Sequence, residues 1–285
     1  MGMYPYIVFE PSGAPVQLVV DSPHSGSLYP DDFDFECSLT MLRQTEDSYV
    51  DELVAHAATE AGAIVVAAQF PRSYIDANRA EDDIDPALLA QPWPQPLAPS
   101  QRTLLGLGLV RRLCKSGVPV YRGPLTVAEV RKRIEQCYRP YHAALERAVA
   151  RRMEQFGECY IVDCHSMPGR GGEHAFARRS DIVLGDRNGE SCDPAFTRRV
   201  RDIFQEMGYS VALNDPYKGV EIVRRYGGPA NGRHALQLEI NRKLYMNEDT
   251  LEKNAGFASL QADMVTFFAC LAEELRHVAE QVAAE

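Results

Sequence analysis

The sequence predicts an α/β protein with a mixed, mostly parallel sheet that carries helices on both faces. Short apolar runs typical of buried strands alternate with segments whose apolar residues recur every three or four positions, as in helices. Strands that alternate with helices favour parallel pairing and a sheet covered on both sides. The 285 residues show no internal repeat, low-complexity segment or clear linker, so one domain over residues 1–285 is expected.

The first half of the chain predicts three strands, three helices and one long loop. The strands are expected at residues 17–21, 63–69 and 118–121. The helices are expected at residues 39–61, at residues 104–114, and from a capping box at Thr126 and Glu129 to about Gly157, with a bend at Pro140. Residues 71–100 hold six of the 18 prolines and form a loop too long to be a mere connector.

The second half predicts four more strands and two more helices. The strands are expected at residues 159–164, in the centre of the sheet, and at residues 181–184, 209–213 and 234–240. Asp193 caps a helix that Gly208 ends, and residues 247–282 form the last helix, with a weak point at Gly256.

Composition excludes several classes of protein. No apolar run approaches the roughly 20 residues that span a bilayer, and the first residues do not resemble a signal peptide. A net charge of −10 argues against a nucleic-acid partner and repels anions at long range, so an acidic substrate requires local arginines. The seven scattered cysteines lack a Cys-x-x-Cys pair and indicate reduced thiols in the cytoplasm. The oligomeric state is not predicted.

Two histidines follow predicted strands and are candidate metal ligands or catalytic bases. His24 follows the strand that ends at Asp21, and His165 follows the central strand, two residues after Asp163. A catalytic zinc site usually has three His and carboxylate ligands, and Glu46 and Asp47 both qualify as the third. Asp163 is placed to orient His165 from outside the ligand set.

A carboxylate and several arginines complete the candidate site. Glu239 ends an apolar strand, where an acid is costly to bury unless it is paired or functional, so it is the candidate general base. The predicted local arginines are present in two clusters that follow strands. They comprise Arg72 and Arg79, with Asn78, and the pair Arg224 and Arg225.

Taken together and in order, six stretches of the chain are specific enough to suggest a family. They are Ser22–Gly26, Glu46–Leu53, Phe70–Arg79, Val162–Met167, Tyr217–Gly219 and Leu236–Met246. With them the chain resembles the N-formylglutamate amidohydrolase family over nearly its whole length. The resemblance implies a single-domain fold like that of zinc carboxypeptidases and aspartoacylases. It also implies a hydrolase that cleaves the amide of an N-acyl amino acid, typically N-formyl-L-glutamate to formate and glutamate, late in histidine breakdown.

The resemblance also implies roles for the candidate residues. The zinc ligands would be His24, His165 and, in preference to Glu46, Asp47. Glu239 resembles the glutamate base of the wider group of zinc hydrolases, and Arg72 would stabilise the developing oxyanion. Asn78 and Arg79 would hold the α-carboxylate of a small anionic substrate, and Arg224 or Arg225 its side-chain carboxylate.

One departure from the family pattern leaves the substrate open. Residues 46–49 read Glu-Asp-Ser-Tyr, where members assigned to histidine breakdown read Thr-Asp-Trp-His. A deacylase or carboxypeptidase-like hydrolase of another N-acyl acidic amino acid is therefore an alternative. A binding protein that has kept the fold and lost catalysis is the alternative from a different class.

Overall fold

The computed structural model describes residues 4–115, 117–169 and 180–284, without the side chains of residue 115 and of residues 278–284. The chain divides into two compact units. The first unit comprises Met1–Ile7, Pro23–Ser48 and Ala67–Ala144, and the second comprises Val8–Ser22, Tyr49–Val66 and Leu145–Glu285. The expectation of one domain over residues 1–285 stays a prediction.

The described residues contain nine strands in two sheets. The strands are β1 Tyr6–Phe9, β2 Leu18–Ser22, β3 Ile64–Ala68, β4 Leu113–Lys115, β5 Val118–Pro119, β6 Cys159–Met167, β7 Ile182–Gly185, β8 Val211–Leu213 and β9 Arg233–Asn241. Seven of them form one sheet in the order β1-β3-β2-β6-β9-β7-β8, and β4 and β5 form an antiparallel pair. The strand predicted to be central, β6, lies in the middle of the large sheet.

The large sheet is mixed but mostly parallel, as the sequence predicts. In the second unit β6 pairs in parallel with both β2 and β9, and β7 pairs in parallel with β8. The pairing of β7 with β9 is antiparallel. The α/β fold class is therefore confirmed.

Eight α-helices accompany the strands in the described residues. They are α1 Leu39–Arg43, α2 Val50–Glu60, α3 Gln101–Leu104, α4 Val127–Arg133, α5 Arg139–Phe156, α6 Pro194–Glu206, α7 Glu221–Tyr226 and α8 Phe257–Ala284. The predicted capping box at Thr126 opens α4, and Asp193 caps α6. A π-helical turn at Ile134–Tyr138 leads into α5 just before Pro140, whose nitrogen cannot donate the regular helical hydrogen bond.

The main apolar core of the second unit lies on one face of its strands. Alternate residues of β2, β6 and β9 point into it, and α2, α6 and α8 contribute apolar side chains from the other side. The strand residues in this core are Leu18, Val20, Tyr160, Val162, Cys164, Leu236, Leu238 and Ile240. The intervening residues therefore face the opposite side of the sheet. Helix α7 packs against β6 and β9, and its buried Ile222 and Val223 lie outside this core.

Several predicted boundaries are wrong for identifiable reasons. The helix expected at residues 39–61 is two helices, and the residues between them carry Asp47. The helix expected at residues 104–114 is absent, because α3 ends at Leu104 and Gly106 adopts a φ of 82° that a helix cannot contain. Strand β1 and the short helix α7 were not predicted, and the last helix begins only after Gly256.

Two expectations from composition agree with the structure. Among the helices of the described ranges, none is long and apolar enough to cross a membrane. All seven cysteines are free thiols.

Candidate functional site

In the first unit His24 is held between two carboxylates. It follows β2 by two residues and is 1% exposed. Its Nδ1 lies 3.2 Å from Asp47 Oδ2, and its Nε2 lies 2.7 Å from Asp76 Oδ1. The backbone N–H of Asp47 also donates to the carbonyl of His24 at 3.0 Å, which fixes the two residues to each other.

This arrangement could hold a cation. Burial lowers the pKa of His24, so the ring is neutral at neutral pH and carries a single N–H. A neutral ring donates to only one of the two flanking carboxylates and presents a lone pair to the other. Lone pairs of His24 Nδ1 and Asp47 facing each other at 3.2 Å repel, unless a proton or a metal ion lies between them. The separation is close to that of two ligands of a tetrahedral zinc ion, whose bonds of about 2.0–2.2 Å place neighbouring ligands about 3.3–3.6 Å apart.

Asp76 has several charged and polar partners besides His24. Arg72 donates to Asp76 Oδ2 from Nη2 at 2.9 Å and from Nε at 3.3 Å, and Arg111 Nη2 lies 3.6 Å away. The N–H of Asn78 donates to Asp76 Oδ1 at 3.0 Å. Burial raises the pKa of Asp76, but Arg72, His24 and Arg79 outweigh it and hold that pKa well below its usual range. Asp76 is therefore ionised and accepts the N–H of His24 Nε2, as carboxylates do behind metal-bound histidines.

Glu46 and Asp47 have different neighbours, although both are buried. Glu46 Oε1 accepts a hydrogen bond from the hydroxyl of Tyr29 at 2.5 Å, and Arg43 Nε lies 3.7 Å from its other oxygen. Burial raises the pKa of Glu46. Asp47 contacts His24 and lies 3.7 Å from Arg72 Nη1. Of the two acids left open by the sequence, the structure brings Asp47 to His24.

In the second unit His165 and Glu239 are neighbours on adjacent strands. The register of β6 and β9 pairs His165 with Glu239 and Asp163 with Gln237. These four residues alternate with the core residues, so they share the face of the sheet opposite the main apolar core. His165 Nε2 lies 2.8 Å from Asp163 Oδ1, and Gln237 Nε2 donates to Glu239 Oε1 at 2.8 Å. A carboxylate thus lies close to His165, although without the hydrogen bond that joins Asp76 to His24.

Asn78 and Arg79 lie in the segment that follows Asp76 in the first unit. Arg79 is 3% exposed and donates from Nε to the carbonyl of Leu107 at 3.1 Å and from Nη1 to that of Asn78 at 2.7 Å. The hydroxyl of Tyr138 donates to the carbonyl of Arg79 at 2.8 Å. The structure therefore brings Asn78 and Arg79 together with Asp76, as the motif predicts.

Arg224 and Arg225 lie on α7 in the second unit. Arg224 forms a two-pronged ion pair with Glu221, with both hydrogen bonds at 2.8 Å. Arg225 lines a surface pocket of 360 Å³ together with Arg233, at the start of β9. Glu239 lies six residues beyond Arg233 on β9, which is about 20 Å from Arg233 at the usual rise of a strand. The structure does not bring Arg225 to Glu239, and a substrate role for either arginine stays a prediction.

Sequence reasoning missed two residues of the first unit. Asp76 was noticed only as part of the motif that ends in Asn78 and Arg79, although an Asp near a ligating His is the usual signal for an orienting carboxylate. Arg111 was missed because its apolar surroundings favour a helix, whereas residues 107–111 form a bent loop closed by a bridge between Leu107 and Arg111.

Comparison with known proteins points to one family. The family model of N-formylglutamate amidohydrolase matches residues 16–246. An N-formylglutamate deformylase of Pseudomonas putida is 38% identical over 194 residues, 67% of this chain and 67% of that protein. An N-formylglutamate deformylase of Pseudomonas aeruginosa is 31% identical over 236 residues, 82% of this chain and 83% of that protein.

A solved structure gives the same indication. The crystal structure of an N-formylglutamate amidohydrolase from Ralstonia eutropha JMP134 superposes with a TM-score of 0.92 at 45% sequence identity. The match covers 96% of this chain and 99% of that one. By sequence and by fold, this chain belongs to the N-formylglutamate amidohydrolase family.

Proposed function

We propose that this protein is a zinc-dependent amidohydrolase that cleaves N-formyl-L-glutamate to formate and L-glutamate. The observation that carries the proposal is the buried pair of His24 Nδ1 and Asp47 Oδ2, 3.2 Å apart as two ligands of one metal ion would be, with Asp76 on the other ring nitrogen. The names of the curated relatives supply the substrate. Family membership alone supports an amidohydrolase, and the metal chemistry explains how the amide is broken.

His24, Asp47 and His165 would hold the zinc ion. Each offers a buried nitrogen or oxygen atom of the kind that catalytic zinc sites use. In the second unit β2 and β6 run in parallel, with Asp21 beside Asp163. His24 follows the carboxyl end of β2 by two residues, and His165 lies two residues before the carboxyl end of β6. Zinc bound there would supply Lewis acidity, which acidifies water and polarises a carbonyl.

Glu239 would transfer the proton during hydrolysis. Its carboxylate is 6% exposed and accepts a hydrogen bond from Gln237, which fixes its orientation. Glu239 takes a proton from the attacking water as the C–O bond forms, and returns it to the amine nitrogen as the C–N bond breaks. Arg72 would stabilise the negative charge that develops on the formyl oxygen, through the Nη1 that faces Asp47.

The substrate carboxylates call for positive groups. Asn78 and Arg79 would bind the α-carboxylate of the substrate, which is the role that the family resemblance implies for them. The surroundings of Arg79 support this assignment. Arg72 and Arg111 both lie beside Asp76, so this part of the first unit is locally positive although the chain has a net charge of −10. A local positive site is what a negatively charged protein needs to bind an anion.

The proposal is tested by measuring turnover of N-formyl, N-acetyl and N-succinyl derivatives of glutamate, each with zinc-free protein and after zinc addition. We expect hydrolysis of N-formyl-L-glutamate that depends on zinc. If the N-acetyl compound is hydrolysed and N-formyl-L-glutamate is not, the N-acetyl compound becomes the proposed substrate. Protein that neither binds zinc nor hydrolyses any of them would favour a binding protein that has lost catalysis.

One observation favours a second substrate as the alternative. Glu46, which departs from the family pattern, is buried and bonded to Tyr29 beside Asp47. A pair of this kind changes the wall next to the proposed metal, so a different N-acyl acidic amino acid is the second candidate. Location in the cytoplasm and a role in histidine breakdown are part of the same proposal, and the seven free thiols support the former.

A further inference from the structure

Arg111 belongs to a segment that is fixed beside the residues of the candidate site. The N–H of Asp76 donates to the carbonyl of Leu109 at 2.7 Å, and Arg79 Nε donates to that of Leu107 at 3.1 Å. Gly108 lets the segment pack against Asp83 and Thr103, because a Cβ there would be 2.8 Å from the carbonyl oxygen of Asp83. Arg111 is therefore held next to Asp76 by the backbone of both segments.

The charge of Arg111 has little compensation within the protein. Arg111 is 8% exposed, and its Nη2 lies 3.6 Å from an oxygen of Asp76 that already accepts two hydrogen bonds from Arg72. The buried Nε of Arg111 has no hydrogen-bond partner among the described residues. A buried donor without an acceptor is costly, and the cost is removed if a ligand supplies the acceptor.

The electrostatic surroundings of Arg111 indicate the sign of that ligand. Burial, and then repulsion from Arg72, lowers the pKa of Arg111 to about 9. Two positive groups, Arg72 and Arg79, and two negative groups, Asp76 and Asp47, act on Arg111. These four balance each other, so the charge of Arg111 itself is left over. A buried positive charge that its neighbours neutralise only in part favours an anionic ligand.

We propose that Arg111 binds the side-chain carboxylate of the substrate and so selects N-acyl acidic amino acids over neutral ones. This inference rests on the proposed function. Arg79 already donates to two backbone carbonyls and is assigned to the α-carboxylate, and Arg224 is paired with Glu221. A planar guanidinium also recognises a carboxylate by two parallel hydrogen bonds, which an amide group in the substrate cannot accept.

The dimensions of the substrate agree with this assignment. Arg111 Nη2 and His24 Nε2 contact the two oxygens of Asp76 at 3.6 and 2.7 Å, so they are at most about 9 Å apart. In an extended N-formyl-L-glutamate the formyl carbon and the side-chain carboxylate carbon are about 6 Å apart. The proposed metal lies on the Nδ1 side of His24, a few ångströms further from Arg111 than Nε2 is. One molecule with its formyl group at the metal can therefore extend its side chain towards Arg111.

The test compares N-formyl-L-glutamate with N-formyl-L-glutamine, which has nearly the same shape and lacks the side-chain charge. In Arg111→Gln we expect kcat/KM for the glutamate compound to fall about 10- to 150-fold, the scale of one charge-assisted hydrogen bond. Most of the loss should appear as a higher KM. The value for the glutamine compound should change less than about 5-fold, so the preference for glutamate collapses.

Arg112→Gln is the matched control. Arg112 is the next residue and has the same chemistry, but it pairs with Asp85 at 2.7 Å outside the group around Asp76. Its substitution should leave the glutamate preference unchanged. Arg111→Lys keeps the charge and loses the planar fork, so an intermediate preference is expected, and it serves as the test variant if Arg111→Gln does not fold.

Binding of L-glutamate by calorimetry gives a second readout that needs no turnover. Wild-type protein should bind L-glutamate more tightly than L-glutamine, and Arg111→Gln should bind both alike. A folded Arg111→Gln or Arg111→Lys variant with the full wild-type preference would overturn the inference while leaving the hydrolase intact. Wild-type protein that does not hydrolyse N-formyl-L-glutamate would instead overturn the proposed function.

Discussion

At the scale of single residues, the chemistry of the first unit depends on Asp76. Its two oxygens serve His24 on one side and Arg72 and Arg111 on the other. It therefore fixes which ring nitrogen of His24 carries the proton, and its negative charge offsets that of Arg72 and, in part, that of Arg111. A neutral amide in its place keeps the shape of the side chain and loses both effects.

We therefore expect Asp76→Asn to weaken zinc binding about 10- to 100-fold, the usual effect of removing a carboxylate behind a metal-bound histidine. Competition with a chromophoric chelator measures this affinity. Asp32→Asn, which removes an ion pair with Lys132 in an exposed position, is the control and should bind zinc like the wild type. Unchanged zinc affinity in Asp76→Asn would show that His24 does not need this partner.

Glu239 permits a cleaner separation of metal binding from catalysis. Because Glu239 is proposed to move protons and not to hold the metal, Glu239→Gln should retain zinc and lose at least about 100-fold in kcat. Elemental analysis and steady-state kinetics on the same sample give both quantities. Loss of zinc from this variant would make Glu239 a ligand, and wild-type turnover would remove it from the mechanism.

At the scale of elements, Gly26 allows two segments of the first unit to approach closely. A Cβ at position 26 would lie 2.4 Å from the backbone of Gln69 and Phe70, which cannot move without displacing the end of β3. The same contact is fixed by the N–H of Leu28, which donates to the carbonyl of Gln69 at 2.9 Å. Gly26 thus determines where the loop that carries His24 can lie.

Gly26→Ala should consequently lower both stability and zinc affinity. The clash is with backbone, so we expect a loss of about 1–3 kcal/mol in the free energy of unfolding, as for other overpacked sites. Gly123→Ala is the matched control, because a Cβ there meets nothing within 4 Å. Urea unfolding of both variants, with and without zinc, measures the difference, and equal curves would exclude the steric argument.

The elements also show what the sequence could predict. Strands such as β6 and β9 were predicted because they are long apolar runs, and His165 and Glu239 were found at their ends. The capping box at Thr126 was predicted because it depends on two side chains three residues apart. Both signals depend only on residues that are close together in the sequence.

What was missed depends on contacts between distant segments. Arg111 lies beside Asp76 only because the loop after α3 follows the backbone of residues 76–79. Apolar spacing alone favoured a helix there, and two glycines override it. The neighbours of Arg224 and Arg225 could not be predicted either. A position close to a strand end in the sequence does not show at which end of the sheet the side chain lies.

At the scale of the whole molecule, buried histidines link stability to pH. His234 is 7% exposed, stacks on Tyr160 at a ring distance of 4.6 Å, and accepts the N–H of Asp193 on Nδ1 at 3.2 Å. Burial lowers its pKa in the folded protein. The unfolded chain therefore binds a proton at higher pH than the folded one. The stability that comes from a neutral His234 is complete above a pH of about 6.5 and is lost as the pH falls below it.

Melting temperatures at pH 7.5 and pH 5.5 test this link. We expect the wild type to lose more stability between these two pH values than His234→Gln, whose side chain does not titrate. His56→Gln is the control, because His56 is 73% exposed. An equal loss in wild type and His234→Gln would assign the acid sensitivity to other groups.

The alternation along β6 and β9 limits how this protein can change over evolutionary time. Side chains of one parity build the main core, and those of the other parity include His165 and Glu239. A deletion or insertion of one codon in either strand would exchange the two sets and unfold the protein as well as inactivate it. A lineage that discards catalysis while keeping the fold must therefore do so by replacing individual side chains, and its strand lengths should stay unaltered.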